Sequence, residues 1–151
     1  MKKIIISIFI FFSVNLFAKE FSITFTPSSS AEWYYVSNSP SQVAEWYYFT
    51  DTPSPVAKYV YITDNPTLTD TIITNELISS NDWLYISYAP NSVANWIYIS
   101  DTPNSIGEWV YITDNINNAD EIICIENPRL RNKIVIATIL EHLKRTKNEN
   151  Y

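Results

Sequence analysis

Short stretches in which Trp or Tyr alternates with an aliphatic or second aromatic residue recur along this chain, separated by about eight mostly polar residues. One copy reads Ala44-Glu45-Trp46-Tyr47-Tyr48-Phe49-Thr50-Asp51-Thr52-Pro53. Close variants begin at Ala31, Ala57, Asp82, Ala94 and Gly107. The lead aromatics at 33, 46 and 59 are 13 residues apart, as are those at 83, 96 and 109. A fixed short period marks a repeat architecture, in which each unit buries its apolar side only against its neighbours.

The aromatic and β-branched residues of each copy suit a pleated surface, so the pattern predicts a strand in every unit. Phase counting places strands near 20–25, 33–37, 46–50, 59–63, 71–74, 83–87, 96–100, 109–113 and 121–125. Alternation then sorts the side chains onto two faces. Phe21 and Ile23, Tyr34 and Val36, Tyr47 and Phe49, Val60 and Ile62, Leu84 and Ile86, Ile97 and Ile99, Val110 and Ile112, and Ile122 and Cys124 form the expected core face. Trp33, Tyr35, Trp46, Tyr48, Tyr59, Tyr61, Trp83, Tyr85, Trp96, Tyr98, Trp109 and Tyr111 form two aromatic rows on the opposite face.

A longer period overlies the first. A gapless shift of 50 residues lays Trp33 on Trp83, Trp46 on Trp96, Asp70 on Asp120 and Glu76 on Glu126, so a block of units is duplicated. With a single glycine, Gly107, the chain lacks the positive-φ residues that tight hairpins use. Ser39-Pro40, Thr52-Pro53, Asn65-Pro66 and Thr102-Pro103 instead resemble helix starts. Each connector is therefore read as one helical turn, with Val43-Ala44, Val56-Ala57, Val93-Ala94 or Ile106-Gly107 packing on the sheet. The expected fold is an α/β repeat: a single sheet of about nine short parallel strands with one-turn helical crossovers. A small β-solenoid or an antiparallel meander is the alternative, because seven or eight residues is short for a parallel crossover.

Three regions follow. Residues 1–18 have the order of a signal peptide, with Lys2-Lys3, an apolar run from Ile4 to Phe17, then Ala18. Residues 19–126 form the repeat domain. Residues 127–151 form a basic helix and tail, in which Leu130, Ile134, Ala137, Leu140 and Leu143 recur at helical spacing. That helix is expected to close one end or face of the sheet and hide an open edge. The leader predicts a periplasmic or secreted protein with no integral membrane segment after cleavage.

Charge is unevenly divided. From Lys19 to Glu126 there are 2 basic and 14 acidic residues, and from Asn127 onward 6 basic and 2 acidic. An acidic body argues against nucleic acid as a partner, and leaves the basic tail free to dock on the body, an acidic partner or an anionic lipid surface. Enzyme signatures are sparse. His142 is read as a surface residue on the charged flank of the tail helix, and Cys124 as core filling in an isoleucine position. Asp51, Asp64, Asp101 and Asp114 just past the strand ends are read as turn caps, because the ligand density of a calcium loop is missing. No metal or cofactor is expected.

The Tyr-Ile-Thr-Asp units at 61–66 and 111–115, with Ser100 in the Thr place at 98–103, resemble uncharacterised exported bacterial proteins built of tandem strand-plus-turn repeats. The resemblance spans about residues 20–126 and implies an exported repeat scaffold, with no activity attached. The aromatic rows carry the functional expectation. The protein is expected to be non-enzymatic, acting in self-association or binding of an envelope protein through the aromatic face. The alternative is a carbohydrate or cell-wall module that stacks sugars on Trp33, Trp46, Trp83, Trp96 and Trp109.

Overall fold

The computed structural model describes residues 18–76 and 81–149. The predicted leader, apart from Ala18, lies outside the described residues. Nine strands form: β1 (Lys19–Thr24), β2 (Glu32–Ser37), β3 (Glu45–Thr50), β4 (Ala57–Thr63), β5 (Thr71–Thr74), β6 (Asp82–Ser87), β7 (Asn95–Ser100), β8 (Glu108–Thr113) and β9 (Glu121–Ile125). One helix follows, α1 (Lys133–Asn148). Every strand lies within a residue or two of its expected place, and every pairing is parallel.

The sheet has no edge. Its strands close into a barrel in the order β1-β5-β9-β4-β8-β3-β7-β2-β6 and back to β1. The chain thus circles the axis twice, and strands of the second lap slot between those of the first. Neither a solenoid nor an antiparallel meander describes this arrangement.

The register explains why crossovers this short suffice. Glu32 lies opposite Leu84, an offset of 52, and Tyr34 lies opposite Asn95, an offset of 61. Ser37 is level with Tyr98, and Tyr98 with Trp46. One strand therefore ends where the next begins, only two strand spacings away, or roughly 10 Å. A connector has no need to travel back along the barrel, which removes the objection to parallel pairing.

The predicted helical crossovers are not formed between β2 and β3, β3 and β4, β6 and β7, or β7 and β8. Two local devices take their place. Each of the first eight strands ends on Ser or Thr, whose hydroxyl oxygen accepts the N–H two residues on, as Ser37 does from Ser39 and Ser100 from Thr102. This local bond competes with helix formation and turns the chain off the sheet. A reverse turn then closes with Ala44 N–H donating to Ser41 O, Ala57 to Ser54 and Ala94 to Asn91. The Val of each Val-Ala pair faces solvent instead of packing on the sheet, while Ala44 and Ala57 are buried. Only Asn65-Pro66 among the four cap-like pairs opens a helical turn, a 3-10 turn at Pro66–Leu68.

The crossovers run over the outside of the barrel. The β7–β8 connector passes β3 so closely that a Cβ on Gly107 would meet Trp46 Cβ at 3.0 Å and Trp46 O at 3.1 Å. Asp120 of the β8–β9 connector likewise donates its N–H to Tyr59 O on β4.

The lumen is filled by α1. Nine consecutive helix residues, Val135 through Leu143, are buried, so no flank of the helix faces water along that length. A helix buried all round lies inside a core. Its residues join one cluster with inward side chains of all nine strands, among them Phe21, Tyr34, Tyr47, Val60, Ile73, Leu84, Ile97, Val110 and Ile123. The expected end cap is thus a central plug. The described residues leave no open edge to hide, and inside the lumen this apolar segment escapes water.

One face assignment is corrected. Ile62 is opposite Ile123 and Thr63 opposite Cys124, so Ile123 and Ile125 point to the lumen. Cys124 is fully buried on the outer side, beside a connector whose Thr69 hydroxyl donates to Ile122 O. The strand spacing shifts by one residue before β9, which reverses its faces. Burial pushes the Cys124 thiol above its ordinary pKa.

Gly107→Val should force the crossover away from Trp46 and cost about 1–3 kcal/mol, the usual range for overpacking. Gly107→Ala should cost less, since alanine fills this position in other repeats. Thermal unfolding followed by near-ultraviolet circular dichroism measures both.

Candidate functional site

The twelve aromatics of the two rows all lie on the barrel's outer face, and the register dictates how they meet. Trp33 is opposite Tyr85, Tyr35 opposite Trp96, Trp46 opposite Tyr98, Tyr48 opposite Trp109 and Tyr59 opposite Tyr111. In all five pairs the rings meet edge to face, with centroids 4.7–5.2 Å apart and planes 68–78° apart. This geometry suits the ring quadrupoles and is worth about 0.5–1.5 kcal/mol per pair beyond simple burial.

Four indoles are fixed further. Trp33, Trp46, Trp96 and Trp109 each donate Nε1–H to the carbonyl five residues earlier, at Ser28, Ser41, Asn91 and Asn104. Each Trp therefore ties down the turn that leads into its own strand. Tyr35 and Tyr85 are buried, and the other ten ring systems are half-buried. What the face offers a partner is a corrugated band of ring edges rather than a row of parallel flat platforms.

A second set of groups lies where the C-terminal end of α1 emerges, among the first residues of the strands. The inward line of each strand begins there with a polar residue, including Glu32, Glu45, Lys58, Asn95, Glu108 and Glu121. The cations of α1 meet this ring. Lys144 Nζ is 2.8 Å from Glu45 Oε2, Lys147 Nζ is 3.3 Å from Glu121 Oε1, and Arg145 Nε is 3.6 Å from Glu32 Oε1. Lys58 and Glu108 pair with each other at 3.0 Å. The basic tail docks on the acidic body, from within.

His142 is not the surface residue expected from the sequence. Only 4% exposed, it packs edge to face against Phe21 and places Nδ1 2.9 Å from Glu32 Oε2 and 3.1 Å from the Tyr34 hydroxyl. Tyr34 donates to the other oxygen of Glu32 at 2.8 Å, as does Asn95 Nδ2. With the carboxylate accepting, Nδ1 carries the proton. The bond from His142 is the main cause holding Glu32 below the usual carboxylate range, against the opposing effect of burial. Nε2 is buried with no hydrogen-bond partner among the described residues.

The preceding residue, Glu141, accepts from the Tyr47 hydroxyl at 3.0 Å and lies 3.7 Å from Lys144 Nζ. Burial raises its pKa more than these donors lower it. Burial also raises both tyrosines, the adjacent carboxylates adding to the effect, so Tyr34 and Tyr47 stay protonated donors. Lys144 is pulled down by burial, but Glu45 and Glu141 together hold it above its ordinary value. The sequence signal for this cluster was available: an acidic or amide residue directly before most lead aromatics, in phase with the core face.

The opposite mouth carries a cleft of about 630 Å³ between the start of α1 and the strand ends, lined by Phe49, Ile62, Ile112, Arg131 and Lys133 among others. Asp51 borders it, and Asp64 lies 4.0 Å from Arg131. Among the described residues no group of three or more His, Cys, Asp or Glu is placed to hold a metal ion. No helix of the described residues is long and apolar enough to cross a membrane. Comparison with protein-family models, curated proteins and solved structures finds no match.

Glu32→Gln and Glu141→Gln should change stability with opposite signs. Because the folded pKa of Glu32 is lowered, its contribution is complete above about pH 4.5 and lost as pH falls through that lowered value. Glu32→Gln should therefore destabilise at neutral pH and flatten the acid limb. Glu141 is raised, so its ionised form weakens the fold at neutral pH and protonation relieves this as pH falls. Glu141→Gln, with the Tyr47 bond retained, should stabilise at pH 7 and converge on wild type in acid. Urea unfolding across pH 3–8 measures both.

Proposed function

We propose that this is a non-enzymatic repeat protein exported to the cell envelope, acting by self-association or by binding an envelope protein through its outer aromatic band. The observation that carries the reading is the placement of all twelve row aromatics on the outside of a closed barrel, ten of them half-buried. Aromatic side chains that are rigid and only half covered are favourable anchors for a protein partner. Their rigidity is built in, because ring pairs and indole hydrogen bonds fix them before any partner arrives.

The same geometry speaks against the carbohydrate alternative. A sugar ring stacks on an exposed flat indole face, whereas here neighbouring rings stand 68–78° apart and cover one another's faces. The closed sheet also leaves no strand edge to recruit a partner by adding a strand, which leaves side-chain contact as the route. The ionisable cluster around His142 is read as structural, since its groups fasten the plug helix to the wall.

Tyr61→Lys places a charge on the aromatic band at a half-buried position, without touching the five ring pairs. Sedimentation velocity across a range of concentrations should show association in the wild type and a weakened association in the variant. A wild-type protein that stays monomeric and also recovers no partner by cross-linking in the envelope would defeat the reading. Indole emission that shifts with oligosaccharide would transfer it to the carbohydrate alternative.

A further inference from the structure

The ring pairs and the strand pleat together link all twelve row aromatics into one path. β6, β2, β7, β3, β8 and β4 are consecutive in the barrel, and each carries two outward rings two residues apart, roughly 7 Å along the strand. The five edge-to-face pairs join each of these strands to the next at centroid separations of 4.7–5.2 Å. In the middle of the path, for example, Tyr98 meets Trp46, and Tyr48, two residues on, meets Trp109. The path therefore runs unbranched from Trp83 on β6 to Tyr61 on β4. Its ends differ in chemistry. Each of the five strands from β6 to β8 carries one indole and one phenol, whereas β4 has Tyr59 in the place of the lead tryptophan, so the last three rings are all phenols.

Indole and phenol are among the side chains that give up a single electron most readily, and rings in van der Waals contact exchange one rapidly. The hydrogen bonding suits the path to carrying the resulting hole. Trp33, Trp46, Trp96 and Trp109 donate Nε1–H to backbone carbonyls. A carbonyl is too weak a base to take that proton, so an oxidised indole there stays a radical cation and passes the hole on instead of trapping it. Tyr85 and Tyr35, early in the path, are buried, which keeps their protons from water. A phenol open to water behaves otherwise. It loses its hydroxyl proton as the electron leaves, and the neutral radical is the more stable product at neutral pH. The hole thus drains toward Tyr111, Tyr59 and Tyr61, which are half-buried and have no indole beyond them. Competing sinks are missing from the described surface: the only cysteine, Cys124, is 0% exposed, and the only methionine, Met1, lies outside the described residues.

We propose that the outer band is a one-electron relay, which accepts a hole at its tryptophan-rich end and delivers it to Tyr111, Tyr59 and Tyr61. The oxidant is a strong one-electron acceptor, an oxygen-derived or carbonate radical, which gains the electron and becomes its anion. At each hop the next ring loses an electron and the previous ring regains one. At the last phenol the hydroxyl proton passes to water, and a small thiol then restores the ring by giving it a hydrogen atom. The thiyl radicals so formed pair as disulfide. The relay goes beyond a binding role for the band and needs no partner protein.

Flash photochemistry on the full chain tests it. Asp82→Cys, at an exposed position beside Trp83, takes a ruthenium polypyridyl label, the native Cys124 being fully buried. Hexaammineruthenium(III) removes an electron from the flash-excited label and leaves an oxidant at the tryptophan end. Paramagnetic resonance of freeze-quenched samples tells indole from phenol radicals, and a nitroso spin trap located by peptide mass spectrometry assigns the ring. Adduct at Tyr59 and Tyr61 is the expected result, suppressed by glutathione that is recovered as its disulfide. In Trp46→Phe with Tyr98→Phe, and separately in Trp109→Phe with Tyr48→Phe, phenyl rings keep the contact but cannot be oxidised under these conditions. Adduct on β4 should fall several-fold in both, with the radical held on the label's side of the break, and an unchanged far-ultraviolet spectrum shows that the barrel stands. Radical confined to β6 in the unbroken path, undiminished β4 adduct in a folded variant, or adduct indifferent to glutathione overturns the proposal.

Discussion

The structure depends on neighbouring repeats being staggered by an even number of residues. A strand meets one neighbour with an offset of 52 residues, two more than the 50-residue block. It meets the other with an offset of 61, two fewer than a block plus one 13-residue unit. Side chains alternate between faces with a period of two, so an even stagger keeps every core position facing in and every row aromatic facing out. The same two residues decide the contacts: a copy of Trp33 displaced by two is Tyr85, and four of the five ring pairs therefore set Trp against Tyr, the fifth being Tyr59 with Tyr111.

The stagger also sets the bore. Four steps of 61 one way and five of 52 the other leave the pairing 16 residues out after one circuit. For nine strands that shear implies a tilt of roughly 50°, steeper than the usual range, and a backbone radius of roughly 11 Å. Since a helix with its side chains is about 10–12 Å across, such a lumen accepts one helix flanked by the inward side chains of the wall. Tyr34 and Tyr47 reach the helix with hydroxyls, and His142 and Glu141 answer from its C-terminal half, so polar groups inside the wall sit where hydrogen bonds satisfy them. The cations beyond them match both the acidic strand starts and the negative end of the helix dipole.

Strand positions and faces were legible because local alternation carries them, and the absence of hairpin turns pointed to parallel pairing. Closure was not legible, since it depends on a two-residue stagger that nothing within a single unit expresses. The plug was hidden for a different reason: Leu130, Ile134, Ala137, Leu140 and Leu143 also fit a one-sided helix. The contrary signal was the unbroken uncharged run from Ile134 to Leu140, which has no polar face. His142 followed that error, since a residue on the flank of a surface helix is wet and one on a plug is not. The Ser or Thr closing each of the first eight strands was equally visible and argued for a turn where a helical start was read. The outer aromatic band was the part of the candidate site best expressed in the sequence, whereas the exposed turn valines were assigned to packing they do not make.

A barrel this wide cannot be stable before its plug is in place. Its inner wall is lined by Ile, Val, Leu, Phe and Tyr, and without α1 those side chains would face a water-filled or empty bore, forfeiting most of the burial that holds the sheet together. The helix in turn buries nine consecutive residues only inside the closed wall. Wall and plug must therefore form together, yet the plug is the last element of the chain, and every strand pairing links residues more than 50 positions apart. Such topology carries a high entropic cost before any contact rewards it, and predicts slow folding. Once formed, the described residues leave no free strand edge and no accessible lumen, so the barrel shows its surroundings only its outer wall and its two mouths.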